Sequence, residues 1–549
     1  MQYHISFSFS SMKRLSATLA SLFFFLSLFS QSSYPKREVR AVWLTTIGGL
    51  DWPHSYAQSS TSAERQKQEL RQLLDRYRRA NINTVLLQTR IRATVIYPSQ
   101  IEPWDGCLSG LPGKSPGYDA LQFAIDECHK RGMAVQAWLV SIPVGKWNGL
   151  GCKRLRQRYP QLIVKIGDEG YMNPEKPQTA SHIAKLCQEI VSKYDVDGIH
   201  LDYIRYPETW NIKVKPDQGR TFITNIVTAA SNAVKALKPW VRMSCSPIGK
   251  ANDLPRYWSH GWNAYARVLQ NAQQWLADGL MDELYPMMYF KGNHFYPFAL
   301  DWQEQAQGKI VVPGLGIYMM APQEKNWPLT DITREMLVAR HIGMGHAYFR
   351  SKFFTDNTKG IYTITADDID ATPALQPALT WHAQQQPAAP SDVHTTATQI
   401  TWQAQPGCTY NLYSSEQWPV DTEKAENLML VRHASAQLNI PAGNQRYYAL
   451  TAMDRYGNES QPTQCNKKKT PPASDALLCT GNTLHIPDNY DANEGLLTLS
   501  ALDGTLLQTL SVRNNVINMQ GIADGVYQLR TLNAADVSHH IAFVIVKRF

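Results

Sequence analysis

Between Arg37 and Phe354 the chain alternates short β-rich runs with helical stretches eight times, and no other pattern in its 549 residues narrows the fold as far. The runs are VRAVWLTT (39–46), INTVLLQTR (82–90), MAVQAWLVSI (133–142), VDGIHLDYI (196–204), VRMSCSPI (241–248), MDELYPMMYF (281–290), IVVPGLGIYM (310–319) and GHAYFRSKFF (345–354). Ser62 to Ala80 carries Leu70, Leu73, Leu74 and Tyr77 at the spacing of one helix face. Tyr118 to Arg131 stops at Gly132, a good C-cap, and Gln178 to Lys193 and Phe222 to Leu237 repeat the periodicity. Strand and helix in alternation imply a parallel sheet, and eight such units close a barrel. The expected class is α/β: a (β/α)8 TIM barrel over residues 37–383, followed by two small all-β sandwich-like domains.

Tyr194 to Pro207, YDVDGIHLDYIRYP, runs an apolar strand into acidic, aromatic and cationic residues. Side chains alternate along a strand, so His200 and Asp202 share the face opposite Ile199 and Leu201. The C-terminal strand ends of a parallel barrel carry its catalytic groups. Asp202 is therefore the leading candidate for a catalytic acid. Further candidate acids at strand ends or in the following loops are Asp51, Glu102, Glu208, Asp282 and Glu283, of which Glu102, Glu283 or Asp51 would supply a second catalytic carboxyl. Glycoside hydrolysis usually needs such a pair, with one proton held near neutral pH by burial against rings such as Trp104, Trp138 or Tyr289. Gln88, Arg90 and Arg92 continue strand 2 on one face. With Trp138, His200, Arg205, Ser246, Tyr285 and Tyr289 they form the set expected to bind sugar hydroxyl, acetamido or carboxylate groups. The long loops Arg92 to Gly117 and Pro143 to Pro174, rich in Trp, Pro, Gly and Lys, would wall that face.

Fifteen Trp and 26 Tyr suit stacking on sugars, whereas a net charge of +8 without a basic stripe argues against nucleic acid. Lys13 and Arg14 precede the uncharged apolar run Leu15 to Phe29, the pattern of a secretory signal peptide over residues 1–32. Export to the periplasm, cell surface or medium is expected, with no transmembrane segment in the mature chain. The eight cysteines show no CxxC or Cys/His ligand spacing, so no metal or other cofactor is expected; Cys107 with Cys152, or Cys465 with Cys479, are close enough in sequence to pair in an oxidising compartment, and reduced buried thiols are the alternative. QQQPAAP (384–390) is a linker by composition. Beyond it, residues 391–466 turn all-β, and RYYALTAMDRYGNES with Trp402 resembles a fibronectin type III domain. After a second linker at 467–474, residues 475–549 form a last β unit. Its Gly525-Val526-Tyr527 turn and basic end resemble the C-terminal sorting domain of type IX secretion substrates, which implies contact with a cell surface or secretion machinery.

REVRAVWLTT with GGLDWP, NINTVLLQTRIRATVIYPS, YDVDGIHLDYIRYP, SCSPIG and DELYPMMYF, in this order, resemble the bacterial glycosyl hydrolase-like family 10. The resemblance implies an exported barrel glycosidase, with glycan strands of peptide-stripped peptidoglycan as the substrate. The family pattern often pairs two acids after the strand-4 apolar run, whereas Tyr203 follows Asp202 here. A sugar-binding barrel without hydrolysis is the alternative that this departure supports; a surface adhesin built on the β modules is a third reading.

Overall fold

The computed structural model describes residues 34–466 apart from 258, 260 and 442–445, and residues 477–547 apart from 487–493, 504 and 533–540. The expected signal peptide and the second linker lie outside the described residues. Two compact units divide between Asn466 and Lys467.

Eight parallel strands form the centre of the first unit. They are β1 (Arg40–Leu44), β2 (Thr84–Arg90), β3 (Ala134–Val140), β4 (Gly198–Asp202), β5 (Arg242–Ser246), β6 (Glu283–Leu284), β7 (Ile310–Val311 and Gly314–Leu315) and β8 (His346–Tyr348). Each pairs in parallel with the next, and β8 pairs back onto β1, so the barrel is closed. Helices α1 (Ser60–Arg79), α2 (Ala120–His129), α3 (Pro177–Lys193), α4 (Pro216–Lys235), α5 (Ala272–Ala277), α6 (Tyr296–Glu304) and α7 (Leu329–His341) follow β1 to β7 in turn. Ser59 caps α1 through a reciprocal pair with Ser62, and Leu70, Leu74 and Tyr77 are its buried stripe. Proline at the first turn starts α3 and α4, where its missing N–H costs nothing.

Three expected strands are shorter than the sequence suggests. Pro286 and Pro313, which have no N–H to donate, fall where β6 ends and where β7 breaks. After β8 the chain enters α8 (Ser351–Thr355), because the Asp51 carboxylate accepts the Lys352 backbone N–H at 2.9 Å and stabilises a helix start. The two long loops also hold structure that their composition hid. Pro143–Lys146, Glu169–Met172 and Ile163–Ile166 form a small antiparallel sheet, with the helix Leu150–Arg158 between its first two segments in the chain.

Residues 391–466 form two antiparallel sheets around Trp402 and Tyr410, whose rings meet at 5.0 Å. These sheets are locked to the base of the barrel. Arg432 pairs with Asp197, and Arg455 reaches Asp195 at 2.9 and 3.0 Å. Lys36 binds Glu459 at 2.9 Å. Gly132, at φ +75°, admits no side chain, since a Cβ there would sit 2.5 Å from the Val431 carbonyl oxygen. The second unit is a seven-stranded sheet, mixed but chiefly antiparallel, with its own core of Leu484, Leu497, Leu499, Ile517, Met519 and Val544. All eight cysteines are free thiols within their own units, and Cys107 and Cys152 are buried without forming the pair considered from the sequence.

Candidate functional site

Asp202 ends β4 on the inner face of the barrel, where alternation carries it past the buried His200. Three donors converge on its carboxylate: Trp138 Nε1–H on Oδ2 at 3.1 Å, and the Tyr203 backbone N–H and the Ser246 hydroxyl on Oδ1, each at 2.7 Å. They come from the ends of β3, β4 and β5. A carboxylate with its oxygens fixed in this way is oriented for attack or for activating water. Tyr289, beyond β6, lies close enough for the Asp202 charge to add to burial in raising its phenol pKa well above the usual value. Around Tyr289 stand Phe349 at 5.3 Å and Tyr318 at 5.7 Å between ring centroids, with Trp43 against Phe349 at 5.9 Å. Asp202 therefore sits beside an aromatic wall of the kind that packs on sugar C–H faces.

The loop after Asp202 adds a compact polar group. Tyr203 adopts φ +52°, its hydroxyl donates to Glu208, and the Arg205 guanidinium lies under its ring at 3.7 Å. Arg205 also donates to Glu208 at 2.7 Å. Burial works to raise the Glu208 pKa, but Arg205 and Tyr203 outweigh it and bring it below the ordinary carboxylate value.

The structure gathers Asp202, Trp138, Ser246, Arg205 and Tyr289 and distributes the other expected residues differently. Glu102 is sealed between Arg90 (2.8 Å to each oxygen) and His182 (2.9 Å). Burial alone would raise its pKa, but the Arg90 charge and the hydrogen bonds from Arg90 and His182 bring it down to about 2. Such a carboxyl holds a proton in roughly one molecule in 10⁵ at pH 7, which disqualifies it as a general acid. Glu283 is fully buried in the lower barrel, bonded to Arg242, to Gln136 at 2.6 Å and to Tyr285 at 2.9 Å. Asp51 is committed to Thr45, Arg350 and the start of α8. Asp282 is likewise paired, to Lys235 at 2.7 Å and to His382 at 2.6 Å.

His200 and Tyr285 belong to the interior layer below the mouth rather than to a sugar-contacting surface. His200 Nδ1 and the Ser244 hydroxyl are 2.9 Å apart, and burial pushes its pKa down to about 3, so it stays neutral. Both rings pack edge-on against Trp43. Gln88 spends its carbonyl on the Thr46 and Ile47 backbone N–H groups. Arg90 is buried, whereas Arg92 lies beyond the strand with its side chain about half exposed and turns toward Glu169 at 4.0 Å. Trp43, Tyr318 and Phe349 were not expected at the site because only closure of the barrel brings the ends of β1, β7 and β8 to the same mouth as β4. A cavity of about 260 Å³ lies at the opposite end of the barrel, lined by His129, Trp240, Arg242 and Arg432, where the charges are already paired.

Glu38, His346 and Asp370 bring ligand-type atoms together at the base of the barrel. Arg40 and Arg340 already neutralise both carboxylates, which suits an internal ion network rather than a metal.

Comparison with known proteins agrees with this geometry. The chain is 26% identical to the glycosyl hydrolase YngK of Bacillus subtilis (strain 168) over 488 residues, covering 80% of this chain and 95% of that protein. It is 30% identical to the glycosyl hydrolase DigH of Escherichia coli (strain K12) over 295 residues, covering 47% of this chain and 66% of that protein. Among solved structures, an endo-1,4-beta-mannanase from Rhizomucor miehei aligns with 8% identity and a TM-score of 0.42 over 62% of this chain and 99% of that one. An alpha-L-fucosidase isoenzyme 2 from Paenibacillus thiaminolyticus aligns with 11% identity and a TM-score of 0.40 over 93% and 91%. The barrel assignment rests on the strand pairing and not on these distant likenesses. The glycosyl hydrolase-like 10 family model matches residues 38–218 and 214–325, a span that holds β1 to β7 and Asp202, and the chain thus belongs to the glycosyl hydrolase-like 10 family of glycoside hydrolases.

Proposed function

We propose that this glycoside hydrolase is exported and cleaves a bacterial amino-sugar polymer, with glycan strands of peptide-stripped peptidoglycan as its substrate. The observation that carries the reading is Asp202, fixed by Trp138, Tyr203 and Ser246 at the C-terminal rim of the barrel beside the Tyr289, Tyr318 and Phe349 rings. Asp202 acts as nucleophile or base. Glu102, Glu283 and Asp51 are committed to buried pairs, and Glu208, exposed on the same loop and held ionised by Arg205 and Tyr203, suits a base rather than the proton-donating acid. The basic loop between Pro143 and Met172, with six Lys and Arg against two acidic residues, favours an anionic chain along the mouth. The apolar run at residues 15–29 supports export, and the second unit supports attachment or sorting at the cell surface.

The test is to incubate the purified chain with intact peptidoglycan, with peptide-stripped strands and with a neutral β-glucan, and to identify products by mass spectrometry. Oligosaccharides released from stripped strands alone are expected. Release from the β-glucan alone would contradict the substrate assignment.

A further inference from the structure

Arg205 is almost fully buried, yet two of its three guanidinium nitrogens, Nε and Nη1, have no hydrogen-bond partner among the described residues; Nη2 donates to Glu208 at 2.7 Å. Leaving buried charged N–H groups without a protein partner costs free energy, and it is an exception that asks for a cause. The group is not remote from the chemistry. Arg205 follows Asp202 by three residues, and Tyr289 feels the charges of both. What covers Arg205 is the half-buried Tyr203 ring, held by a hydroxyl bond to the exposed Glu208 on a backbone at φ +52°, a conformation unfavourable for an aromatic residue.

A guanidinium with free donors beneath a single side chain suits a planar anion once that side chain is displaced. The loop between Pro143 and Met172 approaches the cluster through Tyr171, which feels the charge of Glu208, and the same loop carries Lys153, Arg154, Arg158 and Lys165 exposed.

We infer that Arg205 reads a carboxylate on the sugar bound beside Asp202, and that Tyr203 lifts off the guanidinium as the substrate enters. The inference rests on the glycan reading above and adds a reason for selectivity. In intact peptidoglycan the lactyl carboxyl of each cross-linkable sugar is consumed in an amide bond to the peptide, whereas stripping leaves it free and charged. Arg205 thereby selects stripped strands without needing to exclude the peptide by size.

The test compares kcat/KM on stripped strands with kcat/KM on the same strands after their carboxylates are reduced to alcohols, for wild type, Arg205→Gln and Arg205→Lys. Wild type is expected to prefer the carboxylate form by about 10- to 100-fold, the range of one charged hydrogen-bonded contact. Arg205→Gln is expected to bring the ratio within about threefold of unity, and Arg205→Lys to retain part of the preference because the charge remains. A destabilised barrel lowers both rates together and leaves the ratio in place, so the ratio isolates recognition. Equal wild-type rates on the two strands, or an undiminished ratio in Arg205→Gln, would overturn the inference. Should Arg205→Gln not fold, an unchanged ratio in Arg205→Lys overturns it instead. If wild type cleaves neither strand, the proposed function fails separately, and calorimetric titration of the two strands then decides: tighter binding of the carboxylate form supports the role of Arg205, and equal Kd values refute it.

Discussion

Replacing Glu102 by Gln separates a structural carboxylate from a catalytic one. In the wild type both oxygens of Glu102 face Arg90 at 2.8 Å, with His182 at 2.9 Å, and the group is almost fully buried. The drop in its pKa from 4.5 to about 2 corresponds to about 3 kcal/mol of stability at neutral pH. Because the folded pKa is the lower one, that stability is complete above about pH 5 and fades as the pH falls through 2. Gln keeps the shape but leaves the Arg90 charge uncompensated, a loss of about 3–5 kcal/mol for a broken buried pair. With an unfolding entropy of about 2.1 cal/mol/K per residue over roughly 430 residues, the Tm should fall by about 3–6 °C. Scanning calorimetry at pH 7 measures this, and the gap between variant and wild type should narrow below about pH 4. At 25 °C, where the variant remains folded, kcat should stay within about tenfold of wild type. A Tm within 1 °C of wild type together with a loss of turnover beyond a thousandfold would refute the reasoning and make Glu102 the second acid.

Other substitutions probe separate parts of the structure. Trp138→Phe keeps the ring but removes the N–H on Asp202, and should lower kcat by about 10- to 100-fold with less effect on KM in steady-state assays. Arg432→Ala removes the cation paired with Asp197, whose pKa is lowered because Arg432 and His129 outweigh its burial; the Tm should fall by a few degrees with kcat unchanged, and an unchanged Tm would show that the β sheets only rest on the barrel. Glu335, buried without a hydrogen-bond partner among the described residues, has its pKa raised to about 9 by burial and the nearby Asp331 charge. The folded state must keep it neutral while the unfolded chain ionises it, so its cost grows as pH rises from about 4.5 to 9. Glu335→Gln should therefore stabilise by about 1–3 kcal/mol at pH 8 and by less at pH 5, measured by urea unfolding at both values.

The closed barrel was legible because its signal is repeated: eight β-rich runs separated by helical stripes leave few alternatives, and the strand-4 alternation alone placed His200 and Asp202 on the inner face. The ends of β6 and β7 were overestimated because LYPMMYF and IVVPGLGIYM are rich in apolar and aromatic residues, and proline within them acts through a missing N–H that apolarity does not register. The start of α8 depends on Asp51, some 300 residues earlier, a contact that no local window contains. The same holds at the site. Asp202, Trp138 and Ser246 were readable from strand ends, but the burial of His200 and Tyr285 below them depends on depth along the barrel axis, which alternation does not give. Glu102 looked available because its partners, Arg90 and His182, lie 12 and 80 residues away. The β sheets of residues 391–466 clamp the barrel's base through Arg432, Arg455 and Glu459, contacts between distant segments that composition does not encode.

The central claim is that Asp202 performs the bond cleavage. Mass spectrometry of stripped peptidoglycan strands incubated with wild type and with Asp202→Asn, the latter isosteric, with one oxygen to accept from Tyr203 and Ser246 and its amide NH2 turned to the Trp138 donor, tests it most directly. Oligosaccharide products from wild type, at least a thousandfold fewer from the variant, and a variant that remains folded at the assay temperature by calorimetry are expected. Undiminished cleavage by Asp202→Asn, or binding without products by both proteins, would contradict it.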